Sequence, residues 1–267
     1  MTEFDTAAVI RRLRAAGCVF AEDEARLLVA AAESEEDLDT LVVRRVAGTP
    51  LEHVLGWAEF RGIHVGIQEG VFVPRRRSAL MVDEALALVA ERPVRTVVDL
   101  CCGSGALGLA VLTELGSTSV ELVAADIDPV AVACARDNLA PVGGRVEQGD
   151  LFDALPDGLR GRIDILLANT PYVPTDLIPR MPPEARDHEP AVALDGGPDG
   201  LGPARRIAAG APGWLTPGGS VLIEIGTEQI PAATAILTGN GLTAAIARAP
   251  DLDATVAVGH RPPISGR

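Results

Sequence analysis

A glycine-rich segment between an apolar run and a helical pattern is the first candidate ligand site. It reads Asp-Leu-Cys-Cys-Gly-Ser-Gly and spans residues 99–105. The two glycines let the backbone approach a ligand closely, and open α/β sheets bind ligands at the carboxyl ends of their strands. Cofactor contacts are predicted for Asp99, Cys101, Cys102, Gly103, Ser104 and Gly105.

Acidic residues end the next two strand-like segments. Asp126 follows an apolar run about twenty residues after the loop, where a carboxylate can accept hydrogen bonds from a ribose diol. A further acidic end follows in Gly-Asp-Leu-Phe, residues 149–152. We predict that Asp126 and Ile127 contact the sugar side of a nucleoside cofactor, and that Asp150 and Leu151 contact its base.

Asn169-Thr170-Pro171-Tyr172 follows the apolar run 163–168 directly and should lie at the same sheet edge. An amide nitrogen is a poor nucleophile because its lone pair is delocalised. Two acceptors aimed at its hydrogens can orient it, and the Asn169 side-chain oxygen and the Thr170 carbonyl are such a pair. Pro171 stiffens the turn, and Tyr172 provides a flat wall. The alternative is an Asx-Pro turn without a catalytic role.

The glycine loop alone fits two cofactor classes. With Gly108 it matches the GxGxxG pattern of dinucleotide dehydrogenases. Asp99 before the loop and Asp150 at a later strand end favour a methyltransferase that binds S-adenosylmethionine. A glycine turn without any ligand is the third possibility.

Strands and helices alternate over the region that carries these motifs. Continuous apolar strands joined by helices are typical of a parallel sheet covered on both faces. The last two segments are close in sequence and could pair as an antiparallel edge. Strands are predicted at 96–100, 120–125, 163–168 and 220–225, helices at 106–115 and 129–139, and the edge at 242–248 and 254–259.

Three domains are predicted. Residues 1–50 contain three short amphipathic helices with too few apolar positions for an enzyme core, which favours a module that docks a substrate. Period-two alternation indicates a β-hairpin within the linker 51–77, and Trp57 and Phe60 are expected to pack it against residues 78–267, the catalytic domain.

The composition limits the partners and the location. The net charge of −14 disfavours nucleic acid, because phosphate contacts supply most non-specific affinity for it. Neither a signal peptide nor an apolar run of membrane-spanning length is present, so we expect a cytoplasmic protein without membrane contact. The scattered cysteines and histidines predict no metal site.

Several groups of residues resemble the protein-(glutamine-N5) methyltransferases that act on peptide-chain release factors. Besides the two motifs above, the resemblance includes residues 50–56, 73–75, 189–194, 196–201 and 224–229. It implies a class I S-adenosylmethionine-dependent methyltransferase fold, Rossmann-like, with a mostly parallel seven-stranded sheet and an antiparallel edge. It also implies a helical N-terminal domain that recognises a release factor, cofactor contacts at 101–105, Asp126, Leu151 and Asn169, and substrate-amide contacts at 169–172.

Two positions depart from the family pattern. Thr170 replaces the first of two prolines between Asn and Tyr, and Arg76-Arg77-Ser78 stands where the family usually has Pro, Glu and Thr. These departures are typical of a diverged member or a paralogue with another target. The alternatives are an amino-group methyltransferase for nucleic acid or a small molecule, and a cofactor-binding partner protein without catalysis.

Overall fold

The structure is a computed structural model that describes residues 4–116 and 119–263. Its N-terminal part consists of α1 (Thr6–Ala15), α2 (Ala21–Ala31), α3 (Glu35–Val46) and α4 (Leu51–Leu55). Ser34 caps α3 by accepting a hydrogen bond from the Asp37 N–H at 3.1 Å. Leu13, Leu28 and Val54 belong to one buried apolar cluster, so α4 shares the core of the preceding helices. The division into three domains stays a prediction.

A β-hairpin links these helices to the rest of the chain. β1 (Trp57–Phe60) pairs antiparallel with β2 (Ile63–Gly66). Arg61 and Gly62 have φ angles of +53° and +75°, as a two-residue type I′ turn requires. Phe60 is buried in the main core, whereas the ring of Trp57 stacks on His64 with centroids 4.0 Å apart.

Seven strands form the central sheet, in the order β5-β4-β3-β6-β7-β9-β8. The strands are β3 (Thr96–Leu100), β4 (Glu121–Asp126), β5 (Arg145–Gln148), β6 (Ile163–Ala168), β7 (Leu215–Glu224), β8 (Thr243–Ala249) and β9 (Ala254–His260). The first five run parallel, and β9 is antiparallel to both of its neighbours. The predicted mostly parallel sheet with an antiparallel edge is confirmed.

Helices cover both faces of the sheet. Val97 packs with one face and Val98 with the other, since successive side chains of a strand alternate. One face is covered by α5 (Ala79–Glu91), α6 (Ala106–Leu115) and α7 (Pro129–Leu139), and the other by α10 (Gly202–Trp214) and α11 (Ile230–Gly239). Two short helices, α8 (Pro183–His188) and α9 (Ala191–Leu194), lie in the segment after β6.

Two strands differ from the sequence-based prediction. β7 begins at Leu215 rather than at Ser220, and its pairing with β6 shifts register between Ile163 and Ile165. The intervening Thr-Pro-Gly-Gly, residues 216–219, has no strand-like alternation, so the first half of β7 left no signal. β5 is short and partly exposed, and the prediction omitted it. Within the described part of the chain, no helix combines the length and the apolarity that a membrane crossing needs.

Candidate active site

A cavity of about 500 Å³ opens at the carboxyl edge of the sheet. It lies at the ends of β3, β4 and β6, between the linker and the segment that carries α8 and α9. The lining includes most of the predicted site residues, namely Cys101, Cys102, Gly103, Ser104, Asp126, Ile127, Asp150, Leu151, Asn169, Thr170, Pro171 and Tyr172. Of the described residues predicted to bind a cofactor, Asp99 and Gly105 lie behind this lining.

The glycine loop, residues 99–105, has the positive φ angles that its glycines predict. Gly103 and Gly105 have φ angles of +54° and +78°. A Cβ at Gly105 would lie 3.1 Å from the Leu139 side chain, so this glycine serves the packing of the loop on α7. Cys101 also has a positive φ, +56°, which is uncommon for a residue with a side chain. Backbone strain of this kind occurs often at ligand-binding sites.

Asp99 lies behind the glycine loop, inside the protein. Its side chain is fully buried, and Oδ2 accepts a hydrogen bond from the Gly108 N–H at 3.0 Å at the start of α6. Within the described residues, Oδ1 has no partner. Burial raises the pKa of Asp99 to about 7, and the negative charge of Asp126 adds to this effect, while the Gly108 bond opposes it. A cofactor contact of Asp99 stays a prediction.

Asp126 connects the loop with the next strand end. Oδ2 accepts from the Gly103 N–H and Oδ1 from the Asp128 N–H, both at 2.9 Å. Burial raises the pKa of Asp126 and outweighs these two backbone bonds, which lower it. Each carboxylate oxygen keeps a second acceptor site, because a carboxylate offers about four lone-pair positions.

The part of the cavity between Ile127 and Asp150 combines apolar surface with an ion pair. Ile127 is 49 % exposed, and Leu151 adopts a positive φ of +53° at the cavity wall. Arg206 binds both oxygens of Asp150, at 3.0 and 2.9 Å. This bidentate pair fixes the orientation of the Asp150 carboxylate at the rim.

The Asn-Thr-Pro-Tyr turn continues directly from β6 into the cavity. The Asn169 Nδ2 donates a hydrogen bond to the Ser78 hydroxyl oxygen at 3.1 Å. Among the residues that the structure describes, none binds the Asn169 Oδ1. Thr170 is 3 % exposed, and its hydroxyl has no hydrogen-bond partner within the described chain. The side-chain acceptor of Asn169 is therefore available for a ligand.

Glu224 and Arg77 hold Tyr172. The Tyr172 hydroxyl donates to the Glu224 Oε1 at 3.2 Å, and the Arg77 Nε donates to the same oxygen at 3.2 Å. The Arg77 guanidinium also lies 5.6 Å from the centre of the tyrosine ring. Burial raises the pKa of Tyr172, and the charge of Glu224 raises it further. Tyr172 is therefore a neutral wall with a fixed orientation.

The glycine group 196–201 packs against the back of the Asn-Thr-Pro-Tyr turn. Gln229 Nε2 donates to the carbonyl oxygens of Tyr172 and Asp199, each at 3.0 Å. Gly200 has a φ of +73°, and a Cβ there would overlap the Tyr172 carbonyl oxygen. The close approach explains why the chain has glycine at this position.

The segment with α8 and α9 covers the cavity, and Glu189 anchors it. The Glu189 Oε1 accepts from the Arg75 Nη2 at 2.5 Å and from the Val73 N–H at 3.3 Å. Burial raises the pKa of Glu189, and the charge of Arg75 opposes this shift. The cover also contacts the N-terminal helices, since Arg45 pairs with Glu184 at 2.7 Å.

Ser78, Arg75 and Arg77 also line the cavity, although the sequence did not indicate them as site residues. Arg75 and Arg77 pair with the buried glutamates Glu189 and Glu224 at the cavity. The contact between Ser78 and Asn169 joins positions 91 residues apart. No local sequence pattern predicts a contact between residues so far apart. The one available signal was the position of the arginine run next to a family motif, residues 73–75.

The fold and the site define a class I methyltransferase. Residues 67–177 match the family model "Methyltransferase small domain". Two solved structures share the fold. A methyltransferase from Pyrococcus furiosus aligns with a TM-score of 0.55 and 12 % identity, over 82 % of this chain and 97 % of that chain. A T. thermophilus 16S rRNA methyltransferase in complex with AdoMet and guanosine aligns with a TM-score of 0.54 and 20 % identity, over 77 % of this chain and 49 % of that chain.

Curated relatives define the family more narrowly. Release factor glutamine methyltransferases of Agrobacterium fabrum and Cereibacter sphaeroides are 32 % and 33 % identical to this chain. The alignments cover 87 % and 92 % of this chain, and 88 % and 92 % of the relatives. The Geobacter sulfurreducens relative is 36 % identical over 75 % of this chain and 69 % of its own length. The chain belongs to the release factor glutamine methyltransferase family.

Proposed function

We propose that this chain transfers a methyl group from S-adenosylmethionine to the side-chain amide nitrogen of a glutamine in a peptide-chain release factor. The observation that carries the proposal is the pair of acceptors in the Asn-Thr-Pro-Tyr turn, residues 169–172, which we call the catalytic turn. Within the described chain, the Asn169 Oδ1 accepts no hydrogen bond from the protein, because the side chain bonds to Ser78 through Nδ2. The second acceptor is the backbone carbonyl of Thr170, the next residue in the cavity wall. Membership of the family supports the glutamine substrate.

The residues around the cavity fit the cofactor. Asp126 offers acceptor positions to a ribose diol, and Ile127 and Leu151 offer apolar surface to a base. The volume of about 500 Å³ lies within the usual range of small-molecule sites, about 300–1,000 Å³. S-adenosylmethionine, when bound, supplies an electrophilic methyl group on a sulfonium sulfur.

Asn169 and Thr170 orient the substrate amide. Each accepts one of the two amide hydrogens, which points the nitrogen lone pair away from both oxygens and toward the methyl donor. The Tyr172 ring and Pro171 limit the positions that the amide plane can take. Preorganised acceptors of this kind accelerate reactions because they need no rearrangement when charge develops.

The protein does not need a strong base for this reaction. Transfer would break the bond between the methyl group and the sulfonium sulfur, release S-adenosylhomocysteine and form the nitrogen–carbon bond. Loss of one proton from the nitrogen, which is then cationic, would restore a neutral amide. Glu189 and Glu224 are buried carboxylates near the turn, and each is paired with an arginine. We therefore assign the proton to water and assign both glutamates to holding the linker and Tyr172.

The N-terminal helices recognise the substrate protein in this proposal. Val19 and Phe20, between α1 and α2, are 83 % and 68 % exposed. Exposed apolar side chains next to each other are typical of protein-binding surfaces. The net charge of −14 and the ion pairs of Arg75 and Arg77 argue against nucleic acid as the substrate.

The test is methyl transfer to purified, unmethylated release factor, followed by mapping of the methylated residue by mass spectrometry. We expect one added methyl group on a glutamine side chain. Methylation of RNA instead, or of a non-glutamine residue, would contradict the proposal. Phe20→Ser should raise the KM for the release factor and leave cofactor affinity unchanged. Val130→Ser, an exposed valine (42 %) of the catalytic part, is the matched control.

A further inference from the structure

We infer that Ser78 is a positioning residue, which fixes the rotation of the Asn169 amide so that Oδ1 faces the substrate. The inference rests on the proposed function and deepens it. Asn169 carries an oxygen and an NH₂ group of nearly equal size on a rotatable bond. Only the orientation that presents the oxygen gives the substrate amide an acceptor.

The Ser78 hydroxyl holds the orientation that leaves Oδ1 free for the substrate. Its oxygen accepts the hydrogen bond from the Asn169 Nδ2 at 3.1 Å. A rotation by 180° about the last side-chain bond would turn the NH₂ group toward the substrate amide, whose own hydrogens need acceptors. Ser78 is 2 % exposed, so water does not compete for its hydroxyl.

Both partners are fixed by their backbones. Asn169 follows the last residue of the central strand β6, and Ser78 lies in the turn that begins α5. The Ser78 N–H donates to the Arg75 carbonyl at 3.0 Å. The flanking Arg75 and Arg77 are anchored by ion pairs to buried glutamates. The hydroxyl is therefore held at a defined place beside the catalytic turn.

Ser78 thus connects the end of the linker to Asn169. Ser78 lies in the cavity wall, and its side chain hydrogen-bonds to Asn169, so we expect its effect on transfer to pass through Asn169. A residue that acts only through another has no effect once that other residue is removed. This property separates a positioning role from a general structural one.

The experiment is single-turnover methyl transfer from S-adenosylmethionine to release factor by full-length variants. Ser78→Ala should slow transfer about three- to tenfold, the value of one neutral hydrogen bond, with less than a twofold change in cofactor Kd or in KM for the release factor. Ser78→Thr keeps the hydroxyl and should restore the rate. Ser78→Cys, similar in size and a weaker acceptor, should be slow like the alanine variant, which covers the case that Ser78→Ala does not fold.

A matched control and a double mutant complete the design. Ser220 is also 2 % exposed and makes one side-chain hydrogen bond, to His260 at 2.9 Å, away from the cavity. Ser220→Ala should transfer methyl groups at the normal rate. In the Asn169→Ala background, Ser78→Ala should cause no further loss. A further three- to tenfold loss in that background, or a normal rate for Ser78→Ala alone, would overturn the inference. Failure of the wild-type chain to methylate glutamine would instead refute the proposed function.

Discussion

Asp126 offers a direct test of cofactor binding. Its carboxylate accepts two backbone N–H bonds at 2.9 Å and keeps acceptor positions toward the cavity. Hydrogen bonds that involve a charged group contribute about 1.5–3 kcal/mol. Asp126→Ala should therefore raise the Kd for S-adenosylmethionine roughly ten- to a hundredfold. Asp126→Asn keeps one acceptor oxygen and should give a smaller loss.

Calorimetric titration measures this effect, and the ligand itself provides a second probe. An S-adenosylhomocysteine analogue without a ribose hydroxyl should bind the wild-type chain more weakly, but should bind Asp126→Ala about as well as the full product does. Asp164 is the matched control, because its Oδ2 also accepts two backbone N–H bonds, from Arg95 and Thr96 at the opposite end of the sheet. Normal binding by Asp126→Ala, or an equal loss in Asp164→Ala, would remove Asp126 from the ribose site.

Three further predictions concern the scaffold of the site. Arg45→Ala leaves the Glu24 carboxylate buried without its 2.7 Å partner, so urea unfolding should show a loss of about 3–5 kcal/mol; a loss below 1 kcal/mol would contradict this. The folded pKa of Asp99, about 7, lies above the ordinary aspartate value of 3.8. Between these two pH values, the folded state binds the Asp99 proton and the unfolded state does not. The free energy of unfolding should therefore fall as the pH rises from about 4 to 7, by up to about 4 kcal/mol. Asp99→Asn should flatten that part of the unfolding profile, and an unchanged slope would refute the shift. Gly200→Ala should abolish methyl transfer through the clash with the Tyr172 carbonyl, whereas Gly197→Ala, with a φ of +87° and no neighbour within 4 Å, should stay active.

The features that could be predicted are those that depend on residues adjacent in the sequence. Apolar runs located β3, β4 and β6, and the residues at their ends line the cavity because parallel strands end at one edge. The glycines of the loop have the positive φ angles that the pattern suggests. Such features need only a few consecutive residues, so their signal survives in one sequence.

Features that depend on distant contacts could not be predicted. Ser78 and Asn169 meet only after the linker folds back over the end of β6, and no spacing rule connects them. The role of Gly200 is visible only beside the Tyr172 carbonyl, although the motif itself was noticed. The contacts of Arg75 and Arg77 could not be predicted because the buried glutamates that bind them come more than a hundred residues later.

Single-turnover methyl transfer to release factor by Asn169→Ala, beside the wild-type chain, tests the central claim most directly. The substitution removes the side-chain acceptor and leaves the Thr170 carbonyl. The loss of one preorganised polar contact should slow transfer by about two to three orders of magnitude, while cofactor affinity falls much less. Asn169→Asp keeps an acceptor but adds a charge next to the sulfonium, and should also be slow with cofactor binding retained. A near-normal rate for Asn169→Ala on the same glutamine would contradict the orienting mechanism.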